Sequence, residues 1–169
     1  MRSRTVSFSS EFQFPWEVCS FGYLMRYSTD LTHHIKSTDI LDAYIKDDKL
    51  VVICYTVKKN DILKYRWAKY FDRVFSKGEV LEKHVIDLKT KKYISASMNM
   101  NARKYLNAKE LVEITPITEG TSNVFREFCI QSMWFTDSFA SQYLKRIKNH
   151  DMLYPSIFKA IWSRILNKS

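Results

Sequence analysis

Residues 36–57 read KSTDILDAYIKDDKLVVICYTV, two runs rich in branched and aromatic residues on either side of Asp47-Asp48. Lys36 to Ile45 and Lys49 to Val57 have strand composition, and a pair of aspartates between them is a turn signal, because Asp tolerates left-handed backbone angles. The stretch therefore predicts an antiparallel hairpin. Upstream, Val6, Phe8, Phe12 and Phe14 occupy even positions among Ser, Glu and Gln, the period of a half-buried strand from Arg4 to Phe14. Pro15-Trp16-Glu17 then sets proline and an acid where the first turn of a helix prefers them. Val18, Phe21, Leu24 and Met25 continue at helical spacing to Tyr27.

Downstream, Asp61 to Phe75 carries a noisy helical stripe interrupted by bases and reads as a helix or an ordered loop. Three β-like segments follow, Glu79 to Asp87, Lys92 to Met98 and Tyr105 to Thr115, and a further one runs from Asn123 to Trp134. In that last strand Val124, Phe128 and Ile130 are set against Arg126, Glu127 and Gln131. Asp137 is an N-cap candidate for the closing run, where Ala140, Tyr143, Leu144, Ile147, Tyr154, Phe158, Ile161 and Ile165 line one face of a long helix. Pro155 is expected to kink or split it. Strand, helix, many consecutive strands and a long helix make an α+β pattern: a curved antiparallel sheet of about seven strands wrapped against helices.

At 169 residues, 46% hydrophobic and 15% aromatic, the chain suits a single domain over residues 1–169 with a sizeable core. The longest apolar run, Leu50 to Val57, is far shorter than the roughly 20 residues of a spanning helix. The N-terminus lacks the apolar stretch of a secretory signal. The three glycines, Gly22, Gly78 and Gly120, are isolated, so the phosphate-cradling glycine loops and the nucleophile elbow are missing. Cys19, Cys54 and Cys129 are odd in number and far apart, and read as small buried hydrophobes. Neither metal nor cofactor is expected.

The net charge of +9 calls for an anionic partner: nucleic acid, a membrane surface or a phosphorylated ligand. Its distribution is uneven. Thr56 to Lys77 holds seven bases and two acids, and Phe139 to Ser169 holds six bases and one acid, each a net +5, while the rest sums to −1. In both segments the bases are interleaved with Tyr, Trp, Phe and Ile. That mixture suits an interfacial segment on an anionic membrane, where apolar side chains insert and each base adds roughly 1 kcal/mol. A solvated helix face is the plainer reading of any one base.

Phe14-Pro15-Trp16-Glu17, a short helix ending Arg26-Tyr27, His34, the hairpin from Ser37-Thr38-Asp39 to Leu50, and Lys58 together resemble the opening of a PRELI-domain protein. The likeness continues through Glu79-Val80-Leu81-Glu82 and Val85-Ile86-Asp87, and the element order matches to the last helix. Two departures stand out: Ser28-Thr29-Asp30 where the family usually has Pro-Asn-Pro, and Pro155 in the last helix. The resemblance implies a START-like sheet grasping a long helix around a lipid pocket, with a helical or loop lid. It also implies a carrier, not an enzyme, of phosphatidic acid or phosphatidylserine between the two mitochondrial membranes. Such carriers work in the intermembrane space, bound to a small helical protein with twin Cys-x9-Cys motifs.

A lipid taken from a bilayer exposes acyl chains at about 0.8 kcal/mol per CH₂, so an apolar cavity is expected. Ser95, Ala96, Ser97 and Met98 beside Ile53 and Ile130 are the candidate lining. A desolvated phosphate needs basic donors. The residues matching the family's cationic positions are Arg26, His34 and Lys58, with Lys145 and Lys148 as candidates in the last helix. Lys64, Arg66, Trp67 and Lys69 are candidates for a membrane-docking lid. A nucleic-acid-binding domain is the first rival, although no finger, RNP or KH signature is present. The second is a small-molecule-binding protein or enzyme on the same architecture, although His33, His34, His84 and His150 form no visible triad.

Overall fold

The computed structural model describes residues 1–28, 31–59, 77–133 and 136–167. The described strands are β1 (Arg2–Phe12), β2 (Ile35–Lys46), β3 (Lys49–Lys59), β4 (Lys77–Asp87), β5 (Lys92–Asn99), β6 (Leu106–Pro116) and β7 (Ser122–Ser132). They form one antiparallel sheet in the order β1-β7-β6-β5-β4-β3-β2. Helix α1 (Trp16–Leu24), a 3₁₀ turn (Arg26–Ser28) and the long helix α2 (Thr136–Leu166) complete the described elements. The α+β reading and the hairpin of residues 36–57 are borne out. Asp47 and Asp48 both take positive φ, 50° and 59°, the turn geometry whose twist matches that of the flanking strands. The segment expected to be a helix or ordered loop, Asp61 to Phe75, lies outside the described residues.

Period 2 sorts each strand into an inner and an outer face. One inner row runs Cys54, Glu82, Ser97, Glu110, Phe128 and Val6; the next runs Val52, His84, Ser95, Val112, Arg126 and Phe8. This register corrects the expected cavity lining. Ser95, Ser97 and Ile130 point inward, whereas Ile53, Ala96 and Met98 share a shallow groove on the outer face with Leu81 and Leu111. The register also corrects Arg126, which shares the inner parity of Val124 and Phe128 and is buried.

Helix α2 packs against α1, β1 and β7. Its second half joins a core containing Phe12, Trp16, Tyr23, Ile86, Tyr93, Ile114, Tyr154 and Phe158, and its first half covers Phe128 and Ile130 with Ala140, Tyr143 and Ile147. Trp16 Nε1 donates to the Ile114 carbonyl at 3.0 Å, tying α1 to the sheet. Helix α2 continues through Pro155 and is not split there. It begins at Thr136, so Asp137 is a first-turn acid and not the N-cap, and its carboxylate pairs with Arg4. An acid there is favourable against the helix dipole. Strand β2 lies at the far edge of the sheet with its side chains exposed, apart from half-buried Ile35.

Gly22 marks the closest approach of α1 to α2. A Cβ built there would lie 2.3 Å from Cδ1 of the fully buried Phe158. Overpacking of this kind costs about 1 to 3 kcal/mol, or several degrees of Tm for a chain of this length. Gly22→Ala is therefore expected to lower the Tm, and Phe158→Leu added to it to restore part of the loss, as read by calorimetry.

Candidate functional site

Between the inner face of the sheet, the 3₁₀ turn and α2 lies a cavity of about 70 Å³. Four cationic side chains, Arg26, Lys58, Arg126 and Arg146, line it, together with Glu110, His34, His150 and the rings of Tyr23, Tyr27 and Tyr154. Each is brought there by a different element, which is why the set is not a sequence motif.

Arg26 follows α1, where the chain turns into the sheet. Its Nη1 donates to the Tyr23 carbonyl at 2.7 Å, and Nη2 donates to Glu82 Oε2 at 2.6 Å and to the Tyr27 hydroxyl at 3.0 Å. Its guanidinium carbon lies 4.1 Å and 4.2 Å from the centroids of the Tyr23 and Tyr27 rings. Burial disfavours the cation, but Glu82 and the tyrosines more than offset it, and the Arg26 pKa stands well above its ordinary value. Glu82 is likewise 2% exposed. Burial pushes its carboxyl up, while Arg26, Lys58 and His84 outweigh that and hold it at about 2. Lys58, on β3, donates to the Tyr27 hydroxyl at 3.0 Å and lies 3.5 Å from Glu82 Oε1.

Arg126 enters from β7 and is 2% exposed. Its Nη2 lies 2.9 Å from Asp151 Oδ1 on α2, a charge contact without an aligned hydrogen bond. Nη1 donates to Ser10 Oγ at 3.3 Å, and that hydroxyl in turn donates to Asp151. Glu110, on β6, accepts the Tyr143 hydroxyl at 2.7 Å. His34 and His150 stack with ring centroids 5.7 Å apart. Burial first, and then the positive charge of Arg146, pushes His150 down to about 3, so it is neutral near pH 7. Beneath α1, His84 Nδ1 and the Tyr93 hydroxyl are 2.7 Å apart, and burial pushes His84 down to about 4.

The structure brings Arg26, His34 and Lys58 together, as the sequence reading expected. It does not bring Lys145 or Lys148 with them: both are exposed on α2 and do not line the cavity. Helical phase is the reason. The cavity face of α2 runs through Arg146, His150, Leu153 and Ile157, at steps of three and four, and Lys145 and Lys148 fall off that stripe. Lys64, Arg66, Trp67 and Lys69 lie outside the described residues. The sequence reading had not singled out Arg126, Arg146, Glu82, Glu110, His150 or Asp151 as site residues. Strand parity was the available signal for Glu82, Glu110 and Arg126.

No protein-family model matches the chain. Among solved structures, Ara h 8.0201 aligns over 96% of this chain and 99% of its own at TM-score 0.61 and 12% identity. The aromatase/cyclase ZhuI from Streptomyces sp. R1128 aligns over 97% and 96% at 0.56 and 8%. Norcoclaurine synthase from Thalictrum flavum aligns over 95% and 87% at 0.54 and 9%. At these identities the likeness is one of fold, and the fold is START-like: a curved seven-stranded antiparallel sheet closed over a long C-terminal helix. In sequence, the chain is 27% identical over 113 residues to Protein ups1 homolog of Schizosaccharomyces pombe, a match covering 67% of this chain and 65% of that protein. The resemblance to the PRELI-domain family, first carried by Phe14–Glu17, Arg26-Tyr27, His34 and Lys58, is shown by this relative too.

Proposed function

We propose that the protein is a carrier of anionic glycerophospholipid, binding the headgroup phosphate in the cavity beneath α2. The observation that carries this reading is the convergence of Arg26, Lys58, Arg126 and Arg146 on one small cavity. The cationic lining outnumbers Glu82, Asp151 and Glu110 by one, which favours an anionic ligand. A cavity of about 70 Å³ suits a bare phosphate better than a phosphoserine, and on that ground phosphatidic acid ranks before phosphatidylserine.

The cavity has room for a phosphate-sized group and not for two acyl chains. Chains would lodge against Phe128, Ile130, Tyr143 and Ile147, the apolar layer under the first half of α2, when that half lifts from the sheet. Binding and release, without chemistry, fits a site whose charged groups are already engaged with one another and whose His150 is too weak a base to take a proton near pH 7. The likeness to Protein ups1 homolog supports lipid transfer as the activity. The PRELI resemblance further supports transfer between mitochondrial membranes in the intermembrane space, beside a twin Cys-x9-Cys partner. Exposed Ile40, Leu41 and Ile45 on β2 leave apolar surface for a partner to cover.

Vesicle-to-vesicle transfer tests the reading. The protein is expected to move phosphatidic acid, and Lys58→Gln with Arg146→Gln is expected to slow transfer by more than tenfold with the fold intact by circular dichroism. Two removed charge-assisted contacts at about 1.5 kcal/mol or more each predict that loss. Equal transfer of phosphatidylcholine by the wild-type protein would refute headgroup recognition.

A further inference from the structure

Helix α2 is continuous from Thr136 to Leu166, yet its two halves are held differently. The second half is gripped on two sides. Tyr154 and Phe158 meet Phe12 edge-on with ring centroids 6.1 Å and 5.7 Å apart, Phe158 meets Phe14 at 5.9 Å, and Gly22 lets α1 close on Phe158. The first half buries Ala140, Tyr143 and Ile147 over Phe128 and Ile130, a smaller cluster apart from the main core. From 148 to 153 no residue of α2 is buried. A part-buried hydrogen bond secures the first half: the Tyr143 hydroxyl donates to Glu110 on β6 at 2.7 Å, while the Tyr143 ring stacks on Phe128 with centroids 3.8 Å apart. The Arg4–Asp137 pair at the helix start is exposed and contributes little. Pro155 stands just past the border between the halves. It has no N–H, so the backbone bond it would give the Asp151 carbonyl is missing from an otherwise unbroken helix. The Asp151 side chain, by contrast, is fastened to the sheet by Arg126 at 2.9 Å and by the Ser10 hydroxyl at 2.5 Å.

We propose that Pro155 is a hinge on which residues 136–150 swing off the sheet while residues 156–166 stay in place, and that the Tyr143 hydroxyl on Glu110 is the latch that sets how often they do so. A helix bends where its ladder of backbone bonds is broken, and Asp151, pinned by its side chain one turn before the break, fixes the pivot against the sheet. The half that moves is the one with the fewer buried contacts, which is where local opening costs least. The purpose of the motion rests on the carrier reading. Opening uncovers Phe128 and Ile130 to acyl chains and carries Arg146 away from Arg26, Lys58 and Arg126; closure returns it to them around the phosphate. Glu110 serves both compartments, since it lines the cavity and accepts from Tyr143 beside the apolar layer. The hinge belongs to this chain and not to the family resemblance, from which Pro155 is one of the two departures.

The test is amide hydrogen exchange of the full chain, read by mass spectrometry, beside transfer of phosphatidic acid between phosphatidylcholine vesicles. In the wild-type protein residues 140–150 are expected to exchange about tenfold or more faster than residues 156–165, which open only with the whole fold. Tyr143→Phe keeps the ring on Phe128 and removes the latch, so exchange at 140–150 should rise about fivefold and transfer should quicken. Pro155→Ala restores the bond to the Asp151 carbonyl, so exchange at 140–150 should fall about fivefold and transfer should slow. Gly22→Ala crowds Phe158 behind the hinge; it should speed exchange at 156–165 about tenfold and leave 140–150 unchanged. Equal exchange in the two halves, moving together in every variant, overturns the proposal, because α2 then leaves the sheet only as a whole. So does a Pro155→Ala protein whose residues 140–150 exchange as in the wild type. Exchange that shifts as expected while the transfer rates of wild type, Tyr143→Phe and Pro155→Ala stay equal overturns the role of the hinge in lipid entry. A wild-type protein that opens at 140–150 as expected and moves no phosphatidic acid leaves the hinge assigned and removes the carrier reading.

Discussion

Glu82→Leu is expected to destabilise the protein by about 3 to 5 kcal/mol. The substitution leaves Arg26 and Lys58 without the carboxylate that both approach, and Arg26 is only 6% exposed. A buried ion pair contributes little net stability when intact, because desolvation offsets most of the attraction, but breaking it strands a charge. The double variant Arg26→Met with Glu82→Leu should therefore recover most of the loss in a urea titration. A single variant no less stable than wild type would mean that Arg26 finds solvent or another anion. The same logic limits Arg26 as a probe of ligand binding: Arg26→Ala damages the fold and the site together, whereas Lys58 and Arg146 at the margin of the cavity separate the two.

Stability should fall steeply as the pH drops from 7 toward 4. His84 and His150 are held near 4 and near 3 by burial and by neighbouring cations, against about 6.5 when unfolded. Between those values the unfolded chain binds protons that the folded chain refuses, so each step down in pH favours unfolding. The stability these histidines confer is present above pH 6.5 and is lost as the pH falls toward their folded values. For His84 the linkage is on the order of 3 kcal/mol. Glu82 acts in a lower window. Its folded pKa of about 2 lies below the ordinary 4.5, so its contribution is intact above 4.5 and disappears as the pH falls through 2. Denaturant titrations across this range measure the slope, and His150→Gln should remove part of it between pH 6 and 4. A stability curve flat from pH 7 to 4 would show that neither imidazole is held neutral.

The architecture could be read from the chain because its signals are local. Asp47-Asp48 between β-branched runs specifies a turn, and alternation at Val6, Phe8 and Phe12 specifies a face. The site was half legible. Arg26, His34 and Lys58 were found through family likeness, not through chemistry visible in one segment. Arg126 was misread because its charge suggested the solvent side of β7, although its parity with Val124 and Phe128 already placed it inside. Glu82 and His84 carried the same signal, alternating with Leu81, Lys83 and Val85 in step with Ile86. In α2, Lys145 and Lys148 stand as candidates for the family's cationic positions, and helical phase places Arg146 at the cavity instead. What a sequence withholds is the cross-strand register that turns four distant cations into one cavity.

The outermost strand has a consequence for how the protein behaves in a crowded solution. Among the described residues the outer edge of β2 has no strand beside it in the sheet, and Ile40, Leu41, Tyr44 and Ile45 are exposed along it. An open edge is a template for strand addition, the first step of fibril growth, and long flat apolar edges are the dangerous ones. Here the ladder to β3 is interrupted between Ile35 and Ser37 and again between Ile40 and Asp42, and Lys36, Asp39, Asp42 and Lys46 punctuate the apolar residues. An incoming strand must match two offsets and four charges of both signs to seat along the full length. The edge is therefore sticky and selective at once, and its irregularities work against strand addition.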